Sequence, residues 1–129
     1  MGRHTEQDEK NLYQMYIHSG IRAIEEAPEA EGITILRTSK GKEYCFPFSF
    51  QSDFVSNILS TLTDGEDVCV LYLLHVWKNH ALDVPSYGLR QALTALHPEN
   101  QKALLMLVGE ENFVIRSIQE TMPNKKEGQ

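Results

Sequence analysis

The most apolar stretch of the chain is residues 68–77, VCVLYLLHVW, in which His75 is the one strongly polar member. A short run that is apolar on every side fits either a buried helix or a central strand. Its flanks favour a helix over 64–80. Thr63 or Asp64 can cap the first free N–H groups, and Glu66 follows Thr63 by three as in a capping box. Asp67 would sit near the positive helix end, and Lys78 and His80 near the negative one. Against this stand Val68, Val70 and Val76, β-branched residues that suit a strand. A buried central helix is therefore expected, wrapped by the other elements, with each large apolar side chain contributing about 1.5–3 kcal/mol.

Around it the periodicity changes several times. Residues 5–27 show a helical stripe of Leu12, Met15 or Tyr16 and Ser19, with Tyr13, Ile17, Ile21 and Ile24 on the neighbouring row. Thr5 and Asp8 form a start signal, and Gly20 marks a bend or a close approach within the helix. Residues 33–38 and 42–48 alternate as strands around Ser39-Lys40-Gly41, with Pro47 marking an end or an edge. Ser52 or Asp53 opens a helix bearing Val55, Ile58, Leu59 and Leu62. Asp83 or Ser86 opens another bearing Leu89, Ala92, Leu93 and Leu96, which Pro98 stops. Residues 103–108 and 113–119 read as a second hairpin whose first strand is apolar on both faces, as in a sheet interior. The tail from Pro123 has the composition of a disordered terminus.

The expected fold is a single α+β domain over residues 1–122, in the order α-β-β-α-α-α-β-β. An antiparallel sheet from two β-hairpins (33–48 and 103–119) packs with about four helices. If 68–77 is a strand instead, the sheet gains a fifth member.

Charge narrows the partners. Lys and Arg number 12 against 18 Asp and Glu, giving a net charge of −6 and a pI near 5.3. With the basic residues scattered, no nucleic-acid partner is expected. The polar start MGRHTEQDEKN lacks the apolar core of a signal peptide, and the longest apolar run is too short for a bilayer, so no membrane partner and a cytoplasmic location are expected. Cys45 and Cys69 lack metal-ligand spacing and read as buried free thiols in a reducing compartment.

Chemistry is sparse. There is no Gly-rich phosphate loop, no G-x-S-x-G, no H-E-x-x-H and no paired-Cys motif. Ser39-x-x-Lys42 falls in a turn without companion motifs. His75 and His80, five apart, would leave a helix on different sides. Neither a metal nor a cofactor is expected. The best candidate site is the joint Trp77, Lys78, Ser86, Tyr87 and Arg90, where a helix N-terminus, basic groups and aromatic faces meet, with Arg116 as a second anion contact. The plain alternative is structural: Trp77 and Tyr87 pack, and Arg90 pairs with an acid. The aromatic residues Tyr13, Tyr16, Phe46, Phe48, Phe50 and Phe54 either fill the core or anchor a protein partner, a homodimer or a higher oligomer.

These features lead to the expectation of a non-enzymatic protein-binding module, such as a small acidic inhibitor, immunity or anti-defence protein. The alternative is a binder that sequesters a small anionic or nucleotide-like ligand at the 77–90 joint. An enzyme ranks third.

Overall fold

The structure, a computed structural model, describes residues 4–48, 50 and 53–123. The expected tail lies outside the described residues beyond Pro123, as does the candidate cap Ser52.

The central stretch is a strand, not a helix. The first helical region comprises α1 (Glu6–Gln14), a π-helical segment (Met15–Gly20) and α2 (Ile21–Glu26). Two strands, β1 (Gly32–Thr38) and β2 (Glu43–Pro47), precede α3 (Phe54–Asp64). The supposed capping residues belong to the end of α3. Gly65 N–H donates to Thr61 O (3.1 Å) and Asp67 N–H to Leu62 O (2.9 Å). Glu66 has φ 53°, in the left-handed region that terminates helices. Asp67 is buried, and its carboxylate accepts from Thr38 Oγ1 (2.7 Å) and Tyr44 OH (3.2 Å). With those polar residues spent, the apolar run continues as β3 (Val70–Trp77).

β3 lies in the middle of the sheet. After it come the two-residue β4 (Leu82–Asp83), α4 (Tyr87–Leu96), β5 (Leu104–Val108) and β6 (Phe113–Ser117). The strand order is β2-β1-β3-β5-β6, with β4 paired to β3 beside His75 and Val76. Both expected hairpins form, and β5 occupies an interior place. The all-antiparallel arrangement is corrected, because β3 and β5 are parallel at Tyr72 and Leu104. Parallel neighbours require a long crossover, here the segment containing α4. The α+β class stands, with a mixed sheet.

Two layers of helix cover the sheet. On one face Leu12, Met15 and Ile24 pack against Ile33, Ile35, Tyr72, Leu74, Val76, Met106 and Ile115. The π-helical segment adds one residue to the spacing between buried Met15 and buried Gly20, which keeps the stripe on the sheet. A Cβ at Gly20 would stand 3.0 Å from Val76 Cγ2, so the glycine permits close approach. Thr5 and Asp8 do form the capping box of α1. On the other face Phe54, Ile58, Leu62, Leu89 and Leu93 pack against Leu36, Leu73 and Leu105.

One polar side chain ties β3 to the crossover. Asn100 is fully buried in the 3-10 turn Pro98–Lys102. Its Oδ1 accepts from Val70 N–H (2.7 Å), and its Nδ2 donates to Val68 O and Leu93 O, both at 2.9 Å. Replacing it strands buried backbone groups, so Asn100→Ala should lose about 3 kcal/mol. Urea unfolding checks this; an unchanged midpoint would contradict the assigned bonds.

Candidate functional site

Strand directions determine where a site can form. β1 runs antiparallel to both β2 and β3, so β2 and β3 point the same way. The helices that follow them, α3 and α4, therefore begin at the same end of the sheet and pack on the same face. Ligands of open α/β layers gather at such strand ends.

The side chains at this end are aromatic and polar together. His75 pairs across β1 with Thr34, whose Oγ1 lies 3.1 Å from His75 Nδ1. The imidazole is almost fully buried, and its Nε2 has no hydrogen-bond partner among the described residues. Burial holds its pKa below the ordinary histidine value, with the charge of Asp83 pulling less strongly the other way. A neutral ring with a bare buried nitrogen costs free energy, and such groups often mark function.

Two rings pack against that histidine, and two more extend the cluster from Phe48. Trp77 stands 4.4 Å away by ring centroids and Phe48 5.0 Å, both nearly perpendicular to it. Phe48 also meets Phe54 at 5.1 Å and Phe50 at 4.8 Å, and Phe50 carries the cluster to the surface. Gly32 lets these groups close in, since a Cβ there would be 2.8 Å from Val76 O and 3.3 Å from His75 Nε2. Asp83 accepts from Trp77 Nε1 (2.8 Å) and from Val84 N–H (2.7 Å), which fixes the indole at the mouth of α4.

The residues expected from sequence fall into three places. Trp77 belongs to the cluster, and Lys78 is exposed on the adjoining turn, its N–H donating to Glu31 O (2.8 Å). Ser86 caps α4, accepting from Leu89 N–H (3.2 Å), and exposed Tyr87 stacks against the Arg90 guanidinium at 5.7 Å. Arg90 is buried and donates to Pro85 O (Nε, 2.9 Å), Thr121 O (2.9 Å) and Thr121 Oγ1 (2.7 Å). Arg116 sits apart, on β6, in a groove of about 920 Å³ that it shares with Lys10 and Tyr13 of α1 and with Phe113. Sequence reasoning missed Thr34, Phe48 and Asp83 as neighbours of His75, and Phe54 as the ring behind Phe48. Helical phasing of 68–77 hid the cross-strand pairs that bring them together.

No family model matches this sequence, and no curated protein does. Among solved structures the chain is similar to a glutamate-to-glutamine mutant of cytidine deaminase from Mycobacterium tuberculosis. The TM-score is 0.58 at 12% sequence identity, over 84% of this chain and 95% of that one. The likeness defines a cytidine-deaminase fold. This overturns the expectation of a non-enzymatic module, whether protein-binding inhibitor, immunity or anti-defence protein or a sequestering ligand binder, because the solved structure that shares this architecture is that of a deaminase. Among the described residues no helix is long and apolar enough to cross a membrane.

Zinc deaminases hold their metal with a His or Cys and two Cys. The residues here do not fit that set, for no three His, Cys, Asp or Glu side chains converge among the described residues.

The bonds of Arg90 give it a structural load. Arg90→Ala should cost about 2–3 kcal/mol by leaving the Pro85 and Thr121 carbonyls unpaired. A thermal melt within error of wild type would show that those carbonyls do not depend on it.

Proposed function

We propose that the protein is an enzyme acting on a neutral nitrogen heterocycle of the pyrimidine-nucleoside class, bound where α3 and α4 begin. The observation that carries this reading is the His75 ring packed against Phe48 and Trp77, with Phe54 behind Phe48, its Nε2 without a hydrogen-bond partner among the described residues. Flat rings supply stacking faces for a base, and a neutral imidazole whose Nδ1–H donates to Thr34 Oγ1 supplies at Nε2 an acceptor for an exocyclic N–H or for the proton of a water. The likeness to a cytidine deaminase supports the same substrate class through the fold. Phe48, which packs edge-on against the His75 ring, lies in the connection between β2 and α3. No step is assigned to a metal, because the residues do not fit one.

The test is product formation from cytidine, deoxycytidine and cytosine, followed by liquid chromatography with mass detection so that any change of mass identifies the reaction. One member should be converted by the wild-type protein. His75→Gln, shown to be folded by thermal melting, should reduce conversion at least about a hundredfold, as expected for loss of an acid-base group. Absence of conversion across the panel, or undiminished conversion by the variant, would overturn the reading.

A further inference from the structure

We infer that the joint between β3 and α4 is built to work without zinc, its two thiolate positions being taken by a helix cap and a core leucine. The signature of zinc deaminases places Pro-Cys-x-x-Cys after the H-x-E element. In this chain Pro85-Ser86-Tyr87-Gly88-Leu89 has the same proline and the same spacing, at the start of the ten-residue α4. Ser86 stands where the first cysteine would be, and Leu89 where the second would be.

Both substituted residues have other work. The Ser86 hydroxyl accepts from Leu89 N–H at 3.2 Å, so it satisfies one of the free donors of the helix. A neutral hydroxyl is also a poor ligand beside a thiolate. Leu89 is 1% exposed and packed in the core with Ile58, Leu62 and Leu93. Arg90 adds its bond to Pro85 O, which closes the turn from within the protein.

The rest of the signature is displaced too. The string H-x-E occurs at His4-Thr5-Glu6 and at His97-Pro98-Glu99. The first lies at the start of α1 and the second follows α4, so neither opens α3. Between Pro47 and Phe54 the sequence reads FSFQSD, in which Asp53 is the one residue of ligand type. Chemistry at this site must come from organic side chains, and the helix start holds without a metal.

The inference is independent of the proposed substrate, because metal content is read on the protein alone. Protein expressed with added zinc and purified without chelator is analysed by inductively coupled plasma mass spectrometry, with thermal melts in the presence and absence of EDTA. Zinc well below one per chain, with a melting temperature unmoved by EDTA, is the expected result. If about one zinc per chain survives dialysis, the Cys45→Ser/Cys69→Ser double variant decides its place. Zinc lost in that variant was held by those thiols and leaves the inference standing; zinc retained there, with a melt lowered by EDTA, overturns it.

Discussion

The constraint on which the rest depends is the burial of β3 on both faces. Leu74 and Val76 face the α1 layer, while Leu73 faces α3 and α4. Over Tyr72–Val76 both faces of the strand are buried, which requires neighbours on both edges and helices above and below. β1 supplies one edge, antiparallel, and β5 the other, parallel. The parallel pairing forces the chain to cross over, and α4 is part of that crossover. The placement of the helix start beside the end of β3 thus follows from one buried strand.

The same strand carries the polar exception. His75 faces the α3 and α4 layer, where Thr34 satisfies one nitrogen and, among the described residues, nothing pairs with the other. Desolvation favours the neutral ring, whose bare nitrogen accepts when Nδ1 donates to Thr34 and donates when Nδ1 accepts. Phe48 and Trp77 shield it, and the Asp83 carboxylate holds Trp77 in place through the indole N–H. A buried, unsatisfied ring nitrogen is unfavourable for folding alone, which is the ground for proposing the site at this end of the sheet and not in the exposed groove at Arg116.

Much of the periphery was legible in the sequence. The capping box at Thr5 and Asp8, both hairpin turns, the interior character of β5 and the stop at Pro98 are local signals, and each appears in the structure. The centre was misread because Thr63, Asp64 and Glu66 have the chemistry of a helix start while terminating the helix before them. That exchange turned β3 into a helix and removed the parallel pair. The candidate site suffered accordingly. Trp77 and the start of α4 were found by proximity along the chain, whereas Thr34, Phe48 and Phe54 reach His75 only through strand pairing and helix packing across the fold. Arg90, chosen for its charge, turned out to hold backbone carbonyls, which no sequence pattern distinguishes from an anion contact.

The most direct measurement is a two-dimensional NMR titration of the isotopically labelled protein with cytidine. Shift changes should concentrate on the Trp77 indole N–H and the backbone of Phe54, His75 and Ser86, and should saturate together. Changes centred on Tyr13, Phe113 and Arg116, or none at saturating nucleoside, would contradict a site at the His75 end of β3.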